Sequence, residues 1–205
     1  DIARLAREKG VPFVYVPKKH LDRIDPTHQG AIARLSPKSF ASLSAILEQK
    51  ENLFLVLLDE VSDPQNLGAV IRTAEAGGVD GIILPERRTA GLTEAVLRVS
   101  AGAVEHLPIV RVKNLARTMD ELREKGIWLI GAEGGGEDLW YDFDYTSSVG
   151  LVFGSEGRGI RPLIRQKCDR VLSLPLYGRL NSLNVASAAS IFIYEVVRQR
   201  NKKRE

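Results

Sequence analysis

An α/β fold built on a mostly parallel sheet is predicted for this chain of 205 residues by three observations. Short, wholly apolar runs such as Leu53-Phe-Leu-Val-Leu-Leu58 suit strands buried on both faces. Segments of helical period separate those runs. Polar clusters follow three of them: Asp63-Pro-Gln-Asn-Leu-Gly-Ala-Val-Ile-Arg72, Gly154-Ser-Glu-Gly-Arg-Gly159, and the stretch from Leu172-Ser-Leu-Pro-Leu to Asn181-Ser-Leu-Asn184. Ligands of parallel α/β sheets lie beyond the carboxyl ends of strands, where these clusters fall.

The elements follow in order. Residues 1–8 have helical spacing (Ile2, Leu5, Ala6), stopped by Gly10. A strand is read over 12–16, a short helix over 18–24, a turn-rich loop over 25–30 and a tether over 31–37. A small module therefore ends near Leu35. An amphipathic helix over 39–49 opens a second domain, followed by an apolar strand over 52–59. A helix over 66–76 stops at Gly77-Gly78. Strands are expected over 81–84, 109–112, 127–132, 149–153 and 170–174. Helices are expected over 93–100, 115–125, 160–166 and 184–200. Gly134–Gly136 reads as a glycine-rich loop. Residues 1–10 look like the middle of a fold, so a longer natural chain is expected.

Composition excludes several classes. Hydrophobic content of 44% and charged content of 27% are those of an ordinary globular chain. The longest apolar runs are too short to cross a bilayer, so no membrane role is expected. Cys168 is the one cysteine, which rules out an intrachain disulfide and fits a cytoplasmic location. It reads as a buried small apolar residue. His20, His28 and His106 are scattered, so no metal site is expected. The net charge is +3, concentrated at the ends: residues 1–40 hold eight Lys/Arg against four Asp/Glu, and residues 198–205 hold five against one. Basic ends suit a polyanionic partner, or simply a solvated face.

The glycine-rich loop after the strand at 149–153 is neither G-x-G-x-x-G nor a Walker loop. Ser155 is not in a nucleophile elbow, because Phe153 stands two residues before it. The strand-end loops still offer backbone donors (Gly154, Gly157, Gly159), a carboxylate (Glu156), a guanidinium (Arg72), amides (Asn66, Asn184) and a hydroxyl (Ser182). Polar groups set between apolar runs are costly to bury unless paired, which suggests a site, although a capped helix start would look the same. Arg72 lies six residues, about 600° of helix, after Asn66. Asn66 therefore suits a helix cap and Arg72 the face two turns along, where a surface ion pair is the plain alternative.

In these motifs the chain resembles the SpoU/TrmH branch of the SPOUT RNA methyltransferases. Asn66-Leu-Gly-Ala-Val-Ile-Arg72 resembles that family's first motif, Leu151-Val-Phe-Gly-Ser-Glu-Gly-Arg-Gly-Ile160 the second, and Leu174-Pro-Leu through Ser182-Leu-Asn-Val-Ala186 the third. Ser100-Ala-Gly-Ala103, with Glu105 and Pro108, is also similar to a family segment. The likeness covers roughly residues 50–200. Residues 1–36 resemble the end of the L30e-like RNA-binding module of ribosomal RNA 2′-O-methyltransferases, leaving 37–205 as the SPOUT domain. Asn181 stands where many relatives carry Ser or Glu, and Ala186 replaces a frequent Ser.

The resemblance implies a trefoil-knotted sheet, a homodimer, and S-adenosylmethionine (SAM) as cofactor. It implies methyl transfer to a ribose 2′-hydroxyl of RNA, with 23S ribosomal RNA (guanosine) favoured by the N-terminal module. A tRNA ribose methyltransferase, a thiostrepton-type resistance methyltransferase and a non-catalytic RNA-binding or ribosome-assembly protein are the alternatives. By resemblance, Ala132, Gly154, Leu174 and Leu183 line the cofactor while Gly131 and Gly157 shape its loops. Asn66, Arg72, Glu156, Ser182 and Asn184 form the reaction side. The apolar residues Val185, Ile191, Phe192 and Val196 of the last helix serve either a dimer interface or the core.

Overall fold

The computed structural model describes residues 2–33, 39–134 and 138–202. It divides the chain into two compact units, Asp1–Pro37 and Lys38–Glu205. Most of the tether read over 31–37, the glycine loop from 135 and the last charges of the tail lie outside the described residues.

In the first unit, helix α1 (Ile2–Glu8) ends at Gly10, whose φ is +65°. Helix α2 (Lys18–Ile24) follows. The strand expected over 12–16 does not form. A strand needs a neighbour to take up its backbone N–H and C=O groups, and among the described residues none pairs with it. Val14 and Tyr15 of that segment stand 82% and 78% exposed. The loop after α2 is held by side chains. Asp25 Oδ1 accepts from the N–H and hydroxyl of Thr27. Gly30 N–H donates to His28 Nδ1 (2.8 Å), so the His28 proton sits on Nε2, 3.0 Å from Asp22 Oδ1.

The second unit is a seven-stranded sheet in the order β3-β2-β1-β6-β4-β7-β5, with every pair parallel. The strands are β1 (Phe54–Leu58), β2 (Gly81–Pro85), β3 (Ile109–Val112), β4 (Trp128–Ala132), β5 (Asp138–Leu139), β6 (Val149–Phe153) and β7 (Arg170–Ser173). Strands β1, β2 and β6 are buried along their whole length. Successive residues face opposite layers. Phe54, Val56 and Leu58 pack with Leu67, Ile71, Phe192 and Val196. Leu55, Leu57, Leu129 and Val152 pack with Ile46, Met119, Leu122 and Ile164 on the other face.

Helix α4 (Pro64–Ala76) starts where Asp63 accepts from the N–H groups of Gln65 and Asn66, with Pro64 in the first turn. Asp63, rather than Asn66, is therefore the cap, and Asn66 lies inside the helix. Helices α5 (Glu94–Val99) and α6 (Leu115–Glu124) are capped by Thr93 and Asn114. Helix α3 spans only Leu43–Leu47 instead of 39–49. Ser42 is extended and caps it, while Ala41 N–H is committed to Ile109 O beside β3. Helix α7 (Pro162–Gln166) starts two residues later than expected because Arg161 is extended, as a residue before proline tends to be. The two-residue β5 was not foreseen; a pair of residues carries no readable period.

Helix α8 (Val185–Lys202) closes the chain. It packs on α4, β6 and β4, and Thr73 and Ser190 meet across the helix pair at 3.2 Å. Val185, Phe192 and Val196 belong to the core, whereas Ile191 and Tyr194 are 38% and 52% exposed. No helix among the described residues is long and apolar enough to cross a membrane.

Candidate active site

Strands β6, β4 and β7 are neighbours, and their carboxyl ends open on one cavity of about 710 Å³. Its floor is Ala132 and Phe153, the last residues of β4 and β6, with Phe192 of α8 beside them. One rim is the loop 154–159 and the other is Leu174, Leu176 and residues 181–184. The volume is that of a small-molecule site.

The rim loops are tightly built. Ser155 and Gly159 exchange both backbone hydrogen bonds (3.1 and 3.0 Å), closing the loop into a narrow hairpin. Gly154 must be glycine, because a Cβ there would strike the backbone of Gly159. Gly157 turns the tip with φ +81°. Glu133 reaches the loop from β4: a Cβ on Gly159 would meet its Oε1 at 2.7 Å, and its Oε2 accepts from Arg165 Nε at 2.6 Å.

One amide ties the three polar clusters together. Asn184 Nδ2 donates to Asn66 Oδ1 (2.8 Å) and to Glu156 Oε1 (2.5 Å). Asn184 Oδ1 accepts from the N–H groups of Ala186 (2.9 Å) and Ser187 (3.3 Å), capping α8. The carbonyl oxygen thus meets the cap reading of this residue, while its amide joins the other two clusters. Asn66 is only 7% exposed, so its carbonyl oxygen needs this partner.

The remaining expected residues fall into three groups. Ala132, Gly154, Gly157, Leu174, Ser182 and Leu183 line the cavity. Gly131 lies one residue behind the rim, where a Cβ would crowd Cys168 Sγ and Ile160 Cδ1 at 3.1 Å. Arg72 is exposed on α4, outside the cavity wall, and the surface ion pair considered for it is not found among the described residues. Cys168 is half-buried, its thiol pushed up to about 12 by burial and then by the charge of Asp169. Sequence reading missed Glu133, Arg158, Leu176, Ala188 and Phe192 as cavity residues. Glu133 was findable as the first polar residue after a strand; Phe192 was hidden among equivalent core residues of its helix.

A parallel sheet with a pocket on its carboxyl edge, walled by a glycine hairpin and an asparagine-capped helix start, defines a small-ligand-binding α/β protein. Residues 53–194 match the SpoU rRNA Methylase family, and the chain belongs to that family. It is 42% identical over 206 residues to YacO of Bacillus subtilis, named for the TrmH family of tRNA/rRNA methyltransferases; the match covers 98% of this chain and 83% of YacO. Among solved structures, it is similar to the SpoU methyltransferase AviRb of Streptomyces viridochromogenes in complex with AdoMet (SAM), with TM-score 0.74 and 34% identity over 80% of this chain and 66% of that one. The AdoMet-bound rRNA methyltransferase of Sinorhizobium meliloti gives TM-score 0.75 at 28% identity, over 89% and 70% of the two chains. The A. aeolicus TrmH/SpoU tRNA modifying enzyme gives 0.68 at 28%, over 77% and 80%.

The protein is thus a SAM-dependent RNA methyltransferase of the SpoU/TrmH family, which sets aside the non-catalytic alternative. The cavity fits that cofactor. Its apolar wall (Ala132, Phe153, Leu174, Leu183) suits a purine face, and Glu133 and Glu156 supply negative charge for a cationic group.

Proposed function

We propose that this chain transfers a methyl group to a ribose 2′-hydroxyl of RNA, with a guanosine of large-subunit ribosomal RNA as substrate and tRNA as the second reading. The observation that carries the proposal is the Asn184 junction, which joins Asn66 and Glu156 beside the cavity. Bound SAM supplies an electrophilic methyl on a sulfonium, already a good leaving group. The chain must then align the hydroxyl with that methyl and accommodate the departing proton, so positioning dominates. Ala132, Gly154, Gly157, Leu174 and Leu183 hold the cofactor, with Gly131 packed behind them. Asn66, Glu156, Ser182 and Asn184 set the reaction side.

Arg72 contacts the RNA. A guanidinium offers five donors in a planar fork and no acceptor, so it acts as a clamp on phosphate and on developing alkoxide charge rather than as a base. Charge supports this reading. Arg161, Arg165, Lys167, Arg170 and Arg198 are all ion-paired. Arg72, Arg158 and Arg179, one in each polar cluster or its loop, are exposed and carry no ion pair among the described residues. Tyr177, in the same loop as Arg179, is 96% exposed and suits stacking on an unpaired base.

The proposal includes a trefoil knot formed by the loops around β6 and β7, a homodimer in the cytoplasm using the exposed Ile191 and Tyr194 of α8, and an L30e-like RNA-binding role for residues 1–36. Incubation with SAM and unmodified ribosomal RNA or tRNA, followed by mapping of 2′-O-methyl groups, tests it. A single mapped ribose is expected; a methyl found on a base contradicts it.

A further inference from the structure

The loop 154–160 bears Glu156, yet nothing in its own sequence explains how its two ends are held. Both ends meet one residue. Asp59, the first residue past β1, donates its N–H to Phe153 O at 2.7 Å, where the loop begins. Its carboxylate Oδ2 accepts from Arg161 N–H at 2.9 Å, where the loop ends. Oδ1 accepts from Nε (2.9 Å) and Nη2 (2.6 Å) of the Arg161 side chain. The Asp59 side chain is wholly buried. Glu60, in the left-handed region at φ +62°, turns its own carboxylate onto Arg161 Nη1 (3.3 Å) and Arg88 Nη1 (3.0 Å).

We propose that Asp59 is a positioning residue for methyl transfer: it clasps the two ends of the loop 154–160 and so sets Glu156 against Asn184. The inference rests on the reading of Glu156 and Asn184 as the reaction side. The bond from Asp59 N–H to Phe153 O continues the parallel β1–β6 ladder and needs no particular side chain. What is particular to Asp59 is its carboxylate's bond to Arg161 N–H, which an ion pair serving stability alone would not need and which fixes where the hairpin enters α7. Glu156 is then held from two sides, through the Ser155–Gly159 bridge by Asp59 and across the cavity by Asn184. Arg161 neutralises the buried carboxylate with a guanidinium that remains 42% exposed.

The test compares Asp59→Asn with Arg123→Ala. Arg123 pairs at 3.0 Å with Asp169, which also accepts from Leu129 N–H near the opposite end of β4, so the control breaks a similar pair away from the cavity. Two readouts are taken on the full chain: amide hydrogen exchange without ligand, and SAM affinity by calorimetry. In Asp59→Asn the Ser155 and Gly159 amides should exchange at least tenfold faster while Leu129 is unchanged, and SAM affinity should fall about tenfold. Arg123→Ala should loosen Leu129 and spare both the loop and SAM binding. The double variant Asp59→Asn/Glu156→Gln should bind SAM no more weakly than the weaker single variant, since both act through one loop. Unchanged exchange at Ser155 and Gly159, an equal loss of affinity in Arg123→Ala, or multiplicative losses in the double variant would each overturn the proposal. Should Asp59→Asn not fold, Arg161→Lys answers the same question: it keeps the charge and the backbone clasp but loses the fork, so a partial loosening of the same two amides is expected and none would overturn it. Loss of methyl transfer by the wild-type chain would instead overturn the proposed reaction, leaving the exchange result to decide the role of Asp59.

Discussion

Asn184 does two jobs with one side chain, and substitutions can separate them. Its carbonyl caps α8 and its amide donates to Asn66 and Glu156. Asn184→Ala removes both, and a lost cap costs about 1 kcal/mol. Asn184→Asp keeps the acceptor for the helix start but sets a second carboxylate beside Glu156. Asn184→Asp should therefore melt closer to wild type than Asn184→Ala does, yet transfer methyl at least a hundredfold more slowly; thermal melting and initial rates check the two effects. Arg72 is separable in the same way. Arg72→Lys keeps the charge and loses the planar fork. A clamp role predicts that Lys restores less than a tenth of the rate lost in Arg72→Ala, whereas near-complete rescue would mean that charge alone matters.

At the scale of elements, α8 is held at both ends. Near its end, Arg200 donates to the carbonyls of Tyr145, Ser147 and Leu53 and lies over the Phe54 ring. Midway, the buried Glu195 accepts from Arg198 and Gln199. The hydrogen bond from Arg198 comes first, with Gln199 assisting, in holding its carboxyl below the ordinary 4.5 against the opposing effect of burial. A lowered native value stabilises the fold above the unfolded value and is lost as pH falls through the native one. Melting temperature should therefore drop below about pH 4.5 in the wild type, and Glu195→Gln should flatten that acid limb while lowering stability at neutral pH. Element positions were largely legible because apolar runs and caps are local signals: β3 and β6 lie where periodicity put them. The miss at 12–16 has the opposite cause, since a strand depends on a partner that its own residues do not specify. The candidate site was legible only as residue types in three clusters. Their meeting at Asn184, and the fastening of the second cluster by Asp59, depend on strand order, which no local pattern encodes.

For the whole molecule, the two units allow the RNA-binding role proposed for the first unit to be tested apart from the cavity. The cavity is built wholly within Lys38–Glu205. Removal of residues 1–37 should leave SAM affinity within twofold by calorimetry and weaken RNA binding by tenfold or more, with a shallower salt dependence as basic contacts are lost. Equal RNA affinity would remove the RNA-binding role proposed for the first unit. Methyl transfer to a ribose at the Asn66–Glu156–Asn184 site is tested by transfer of a tritiated methyl from SAM to unmodified large-subunit ribosomal RNA and to bulk tRNA, by the full chain and by Arg72→Ala. Counts in ribosomal RNA that map to one 2′-O-methyl and vanish in Arg72→Ala are predicted. Counts that persist in Arg72→Ala, or that map to a base, would contradict the account.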